Sequence, residues 1–173
     1  HAWTIAMYQN EICKRVDPLK KPLHRFFKDE IADALNIDFH IGLPKDYPKH
    51  KVAQLIPFLP QEAFRRKENT DFASIFKGIL NPFSYFYKSL LNPPHALNLN
   101  NFNNPKYTEI PNGSAHGFGN ARSIAQVYNE FVSGGKNLHI QKETLLQLEA
   151  APIHPKLGKK DIVLNVDIPF SLG

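Results

Sequence analysis

The spacing of apolar residues over the first 35 positions predicts two helices. The first apolar stripe ends at Asp17-Pro18, and the second begins at Pro22, which suits the first turn of a helix. We expect the second helix to run to about Leu35. No capping residue precedes the first stripe, so we expect that helix to begin upstream of residue 1. The two apolar surfaces are Trp3, Ile5, Ala6, Met7, Ile12, Cys13 and Val16 in the first helix, and Leu23, Phe26, Phe27, Ile31, Ala34 and Leu35, expected to be buried, in the second.

Alternating patterns predict short strands. Residues 37–41 alternate apolar and polar side chains before a Gly-Leu-Pro turn, and residues 162–168 alternate as a half-buried strand. His40 falls on the polar phase, so we expect an exposed or hydrogen-bonded histidine rather than a metal ligand. A single terminal strand cannot satisfy its own backbone, so we expect partners for 162–168 outside this chain. Residues 51–58 fit either a short strand or a helical turn.

Further helices are expected between and after these strands. Residues 70–91 predict two helical pieces that are broken at Asn81-Pro82. The Asn- and Pro-rich segment 92–104 predicts a loop, and residues 142–150 predict a short helix.

The stretch Glu109–Gly135 combines a glycine-rich loop with a sharply bounded helix. Asn120 can cap the first turn with its side-chain oxygen, and Gly134-Gly135 supplies a left-handed stop. Small residues allow a backbone to approach a ligand or another segment closely. On pattern alone, this stretch favours a structural scaffold. The apolar stripe of its helix consists of Ala121, Ile124, Ala125, Tyr128, Phe131 and Val132.

Composition indicates one globular domain. The 173 residues are 42% hydrophobic and 12% aromatic, which allows a sizeable core. The net charge of +5 raises the possibility of nucleic-acid binding, but basic residues come in short clusters such as Arg65-Arg66-Lys67. We therefore favour a solvated basic surface over a nucleic-acid partner. No apolar run approaches the ~20 residues that span a bilayer, so no membrane partner is expected.

The start of the chain carries no signal-peptide pattern, and its first residue is His rather than Met. We expect that the start has been processed away or that the chain is an internal piece. Its cellular location is not indicated.

Candidate catalytic motifs are weak. Ser74-Ile75-Phe76-Lys77 is an S-x-x-K sequence, in which a neutral lysine could accept the serine proton on one helical face. A solvated, charged lysine is the default in such an amphipathic stretch. Tyr8-Gln9-Asn10 is a Y-x-N sequence, but it precedes the S-x-x-K, and no K-[ST]-G or H-[ST]-G is present. We interpret both as chance matches.

Metal and phosphate sites are not expected. The eight histidines and the single Cys13 lack metal-ligand spacing, and Gly117-Phe118-Gly119 is a lone G-x-G. We therefore predict no metal and no cofactor. Cys13 excludes an internal disulfide, and we expect a small buried hydrophobe rather than a nucleophile.

Three segments carry a family pattern. Ala115–Ala125 has the sequence AHGFGNARSIA, Leu35–Pro44 has LNIDFHIGLP, and the chain opens with His1-Ala2-Trp3-Thr4. They resemble the A-N-G-x-G-x-A-R-x-L-A, P-L-G-x-D-F-x-I-G-L-P and Y-H-A-x-T segments of the serine β-lactamase-related family. That family comprises class C β-lactamase-like esterases and penicillin-binding-protein-like hydrolases. Val163–Gly173 is similar to the segment before the family's F-G-L-G-F motif, and residues 60–105 match weakly.

The resemblance implies a parent serine hydrolase that cleaves a small-molecule ester or amide through an acyl-enzyme. It places the catalytic tyrosine directly before His1, the S-x-x-K further upstream, and the K/H-T-G element after Gly173. None of the family's catalytic residues therefore falls in this chain, and the chain alone is expected to be inactive. His116 stands where the family usually has asparagine. The residues expected to line the pocket are His1, Asn112, His116, Gly117 and Asn120.

The fold class implied by the resemblance is α+β. Residues 1–173 would form the mostly helical part, with a few strands, of one incomplete β-lactamase/transpeptidase-like domain. Two other functions remain open. One is a non-catalytic binding or structural module derived from that fold, and the other is a basic nucleic-acid-interacting domain.

Overall fold

Short helices and two pairs of antiparallel strands make up the regular structure of the described residues. The computed structural model describes residues 4–56, 78–90, 98–151, 158, 160–164 and 166–167. The mixture of helix and strand in this part agrees with the predicted α+β class. The α-helices are α1 (Ile5–Val16), α2 (Leu23–Phe27), α3 (Tyr85–Leu90), α4 (Pro105–Thr108), α5 (Ala121–Val132) and α6 (Lys142–Leu148). The strands are β1 (Phe39–Ile41), β2 (Gly117–Gly119), β3 (Lys160–Asp161) and β4 (Val166–Asp167).

The chain divides into two compact units. The first takes in the described residues of His1–Ala53 and Asn104–Glu149, and the second those of Gln54–Asn103 and Ala150–Gly173. The first unit therefore contains both Leu35–Pro44 and Ala115–Ala125. The prediction of a single domain stays a prediction.

In the first unit, β1 and β2 form an antiparallel ribbon. Phe39 lies opposite Gly119, and Ile41 lies opposite Gly117. β1 confirms the strand predicted over 37–41, although it is shorter. The prediction of a loop over 117–119 is wrong, because these residues pair with β1 as a strand. The short Gly-Phe-Gly sequence has no alternating pattern that would indicate this pairing.

Long-range bonds extend the ribbon beyond its strands. The Gly42 N–H donates to the His116 carbonyl at 2.8 Å, and the Leu43 N–H donates to the Thr108 carbonyl at 2.8 Å. Leu43 is itself buried. These two bonds fix the loop before β2 against the end of β1.

Glycine at position 119 gives the Phe39 ring its place over the ribbon. A Cβ atom at Gly119 would overlap that ring, and one at Gly117 would lie 3.2 Å from its Cζ. The Phe39 ring also meets Phe27 of α2 edge to face, with ring centroids 5.5 Å apart. Packing of this aromatic pair joins α2 to the ribbon.

Side chains from other segments complete the first turns of α1 and α2. The Ala6 N–H donates to Ser114 Oγ at 3.0 Å, whereas Thr4 makes no side-chain cap. The Leu23 N–H donates to Asn10 Oδ1 at 2.9 Å. These bonds satisfy N–H groups that a helix leaves without internal partners. They also tie α1 to the loop before β2 and to α2.

The helix predicted over 22–35 is interrupted. α2 ends at Phe27, and Lys28–Ala32 continue as a π-helical turn before a turn over 33–36. The wider turn changes which side chains share a face. Ala32 is therefore buried, whereas Ala34, predicted on the buried stripe, is exposed.

Helix α5 begins and ends where the sequence predicted. Asn120 Oδ1 accepts from the Ser123 N–H at 2.9 Å, and Gly134 and Gly135 adopt φ angles of +93° and +64°. Its apolar stripe, however, does not face a core as such stripes usually do. Tyr128 is 68% exposed and Val132 is 87% exposed.

Polar residues are buried on α5 instead. Ser123 and Glu130 are each 3% exposed. The Glu130 carboxylate accepts from the Asn137 backbone N–H at 3.0 Å and from Asn137 Nδ2 at 2.6 Å. Glu130 thus closes the turn that follows the helix. The apolar surface predicted for α1 is likewise largely exposed, at Ile5, Met7, Ile12 and Val16.

In the second unit, the predicted break at Asn81-Pro82 is confirmed. Residues 78–80 and α3 are helical, whereas 81–84 are not. Ser84 Oγ accepts from the Tyr87 N–H at 3.0 Å and so caps α3.

The loop predicted over 92–104 contains a 3₁₀ turn at Leu99–Asn103. The Asn103 side chain pairs with both backbone groups of Leu55, at 2.8 Å each, as a neighbouring strand would. Of the ambiguous segment 51–58, residue 51 ends the 3₁₀ turn Lys49–Lys51, and residues 57–58 lie outside the described residues.

The strand predicted over 162–168 is confirmed at β4 and is wrong for residues 162–164. β3 and β4 pair with each other, with Lys160 opposite Asp167, and residues 162–164 form the turn between them. Asp161 Oδ1 accepts from the N–H groups of Val163 and Leu164, both at 2.8 Å. A side chain that bonds to the backbone two and three residues on favours a turn over a strand. The partner of β4 therefore lies within this chain, contrary to expectation.

Candidate binding groove

A groove of about 580 Å³ lies in the first unit, between α2, β1, and residues 106–111. This volume falls within the roughly 300–1,000 Å³ of small-molecule sites. Part of its wall is apolar. The apolar lining residues are Phe27, Phe39, Ile41, Leu43, Pro44, Ile110 and Pro111.

Two cations of the groove come from segments that are distant in sequence. Lys45 follows β1 in a turn, which the bond from the Tyr47 N–H to the Pro44 carbonyl closes at 3.0 Å. Lys106 stands in the first turn of α4, where Asn104 Oδ1 accepts from its backbone N–H at 3.0 Å. In the described ranges, no carboxylate lies within 4 Å of either ammonium group.

The other two cations of the lining are paired. Arg25 Nε lies 3.1 Å from Asp29 Oδ2, and Lys28 Nζ lies 2.6 Å from Asp33 Oδ2. The lining also includes the carboxylate of Glu109. The groove therefore holds two cations whose charge is locally offset and two whose charge is not.

His24 lies on the same wall, in α2. Burial lowers the pKa of His24 from its ordinary value, and the neighbouring positive charges of Arg25 and Lys14 lower it further. The imidazole is consequently neutral near pH 7. It can offer a hydrogen bond to a ligand but adds no charge.

Asp38, His40 and Tyr47 form a hydrogen-bonded cluster at the groove. His40 Nε2 lies 3.1 Å from Asp38 Oδ1, and the Tyr47 hydroxyl donates to both oxygens of the same carboxylate at 3.1 Å each. The His40 and Tyr47 rings pack edge to face with centroids 5.1 Å apart. Burial raises the pKa of Tyr47, as does its hydrogen bond to Asp38, so the phenol stays protonated.

This cluster orients the His40 ring, which lines the groove. A carboxylate–imidazole pair is the orienting half of many nucleophilic sites, but the chemistry also needs a hydroxyl or thiol next to the ring. Among the described residues, the hydrogen bonds of the His40 ring include none to a serine, threonine or cysteine side chain. The oriented ring can exchange a hydrogen bond with a ligand in the groove.

The pocket residues predicted from sequence lie mainly in the turns that build the ribbon. His1 is outside the described residues. Asn112 lines a second groove of about 400 Å³, and its Oδ1 accepts from the Ser114 N–H at 2.9 Å. Gly117 lies in β2, and Asn120 caps α5.

His116 is 7% exposed, and its side chain forms a hydrogen bond to the protein backbone. Its Nδ1 lies 2.7 Å from the Ile110 carbonyl, and because a carbonyl only accepts, Nδ1 carries the proton. Its backbone N–H donates to the Asn112 carbonyl at 2.8 Å, so the structure brings these two predicted residues together. His116, Gly117 and Asn120 line neither groove. Their role in a pocket stays a prediction.

The sequence did not indicate Lys45 and Lys106 as site residues, because isolated lysines are typical of solvated surface. No local sequence pattern relates these two lysines to each other. They share one groove only because the bond from Leu43 to Thr108 brings their two segments together.

Other candidate chemistry is limited. The Ser74–Lys77 sequence lies outside the described residues. Cys13 is half-buried, and burial raises the pKa of its thiol, which disfavours a reactive thiolate. Within the described ranges, no three His, Cys, Asp or Glu side chains are grouped to hold a metal ion. Nor does any helix in them have the length and apolar character to cross a membrane.

No protein-family model, curated protein or solved structure matches this chain. A function for this chain therefore has to be inferred from the geometry of the first unit and from the sequence motifs.

Proposed function

We propose that this chain forms a non-catalytic pocket wall of a serine hydrolase of the β-lactamase-related type, which cleaves a small-molecule ester or amide through an acyl-enzyme. One observation supports the proposal above all. Leu35–Pro44 and Ala115–Ala125, the segments with the clearest motif resemblance, lie side by side as β1 and β2. Their pairing brings the two motif-bearing segments into one ribbon, as a shared pocket wall requires.

In this proposal, the chain binds and orients the substrate. The groove beside the ribbon supplies an apolar wall, lysine charges and the oriented His40 ring. The acylated serine, its lysine base and the tyrosine belong to other parts of the parent protein. The isolated chain consequently leaves a chromogenic ester and a chromogenic cephalosporin intact.

The test is to label the parent protein with a fluorophosphonate, which reacts with activated serines, and to map the modified peptide by mass spectrometry. We expect one labelled serine, located outside residues 1–173 and in an S-x-x-K sequence. Label on Ser74 would overturn the proposal, since the catalytic serine would then lie within this chain.

Absence of any label, in a parent protein shown to be folded, would also count against a hydrolase. It would favour the non-catalytic binding module instead. The groove lies wholly within the first unit, so such a module would keep it.

A further inference from the structure

The groove beside β1 combines an apolar wall with a rim of charged side chains. Phe39 and Phe27 pack edge to face on one side, and the buried Leu43 lies at the end of β1. Covering such a surface with a hydrocarbon chain removes apolar area from water, which is favourable by roughly 25 cal/mol per Å². The ligand that fits the wall therefore has an apolar chain.

The charges of the rim specify the other end of that ligand. Arg25 and Lys28 are offset by Asp29 and Asp33, as the ion pairs show. Among the charged side chains that line the groove, the positive charge of two lysines and the negative charge of one glutamate remain, which leaves a single net positive charge. This balance matches a monoanion better than a dianion such as a phosphate monoester.

We propose that this groove binds a small free carboxylate that carries an apolar chain, with its carboxylate held by Lys45 and Lys106. Lys45 and Lys106 stand on two neighbouring segments, which the 2.8 Å bond from Leu43 to Thr108 holds together. Neither ammonium has a carboxylate partner among the described residues, so an incoming carboxylate meets no competing ion pair. The proposal concerns the first unit alone and does not depend on the hydrolase assignment.

Calorimetric titration of the full chain at low salt tests this directly, with octanoate, butyrate, octanol and octylammonium as probes. We expect octanoate to bind at least about tenfold more tightly than butyrate, since each buried methylene adds roughly 0.8 kcal/mol. Octanol and octylammonium should bind more weakly than octanoate. Equal affinity for octylammonium, or no binding of octanoate, would overturn the proposal.

Variants separate the lysine rim from general surface charge. Lys45→Gln combined with Lys106→Gln should weaken octanoate binding by about fivefold, because both charges are at the rim. The matched control is Lys49→Gln combined with Lys51→Gln, which removes two exposed lysines outside the groove lining and should leave affinity unchanged. Equal losses in the two double variants would contradict the assignment.

Glu109→Gln supplies a change of opposite sign. Removing this carboxylate raises the net positive charge of the groove, so octanoate should bind about twofold more tightly. A merely damaged fold cannot produce tighter binding. Weaker or unchanged octanoate affinity in this variant would count against the charge argument.

Discussion

The β1–β2 ribbon and helix α5 belong to the same unit but are held in different ways. Bonds between segments that are far apart in sequence hold the ribbon, such as Gly42 to His116 and Leu43 to Thr108. Local caps define α5, and its apolar stripe is left largely exposed. An amphipathic pattern therefore specifies a helix, whereas burial of its apolar face requires a partner surface that the pattern does not supply.

The strongest way to break the ribbon is a side chain at position 119. Gly119→Val forces branched methyl groups into the space of the Phe39 ring, and overpacking of this kind costs about 3 kcal/mol. Chemical denaturation monitored by circular dichroism measures the loss. Combining Gly119→Val with Phe39→Leu should restore part of the stability, because the smaller side chain makes room. Purely additive losses in the double variant would show that the ring is not the obstacle.

Removing the buried carboxylate of α5 should have the next largest effect. Glu130→Ala deletes both hydrogen bonds to Asn137 and should cost about 1.5–3 kcal/mol, as bonds to charged groups do. Gln126→Ala, at an exposed position of the same helix, is the matched control and should be nearly neutral. Equal unfolding free energies for the two variants would mean that polar contacts do not anchor α5.

The free energy of unfolding of the first unit should also depend on pH through His24 in α2. Burial lowers the native pKa of His24, and the neighbouring cations lower it further, so the unfolded chain takes up the proton more readily, near its ordinary value of 6.5. Protonation therefore favours unfolding, and this stability is lost as pH falls below about 6.5. The stability advantage of the wild type over His24→Gln should shrink between about pH 7.5 and pH 5.5. A pH-independent difference in unfolding free energy would contradict the burial of this ring.

Changing the stripe of α5 should have the smallest effect. Tyr128→Ser combined with Val132→Ser alters side chains that are already exposed, so the free energy of unfolding should change by no more than about 0.5 kcal/mol. Leu43→Ala, beside the ribbon, should by contrast cost about 2 kcal/mol, because Leu43 is buried. A loss above about 1.5 kcal/mol in the double variant would show that a surface covers the stripe in solution.

The sequence allowed prediction of elements whose signals are local. Asn120 caps α5 through a bond to Ser123, three residues on, and the helix stop lies in two adjacent glycines. The turn at Asp161 is local as well, but apolar alternation concealed it, because the side-chain bonds to Val163 and Leu164 compete with an extended backbone.

The parts that escaped prediction depend on distant partners. β2 is a strand because Phe39–Ile41 pairs with it, and no sequence pattern within Gly117–Gly119 indicates that pairing. The candidate groove has the same origin, because the bond from Leu43 to Thr108 joins the segments that carry Lys45 and Lys106, the two lining lysines without an ion-pair partner among the described residues. Sequence resemblance identified both strands of the ribbon as notable segments. The resemblance did not indicate that charged side chains line the groove beside these two strands.

The most direct test of this account is to locate where an apolar carboxylate binds. Octanoate titrated into ¹⁵N-labelled chain should move the backbone amide resonances of Ile41, Leu43 and Ile110, which line the groove. Resonances of Tyr128 and Val132 on the exposed stripe should stay in place. The opposite pattern, with the largest shifts along α5, would mean that octanoate adheres to exposed apolar surface and that the groove is not its site.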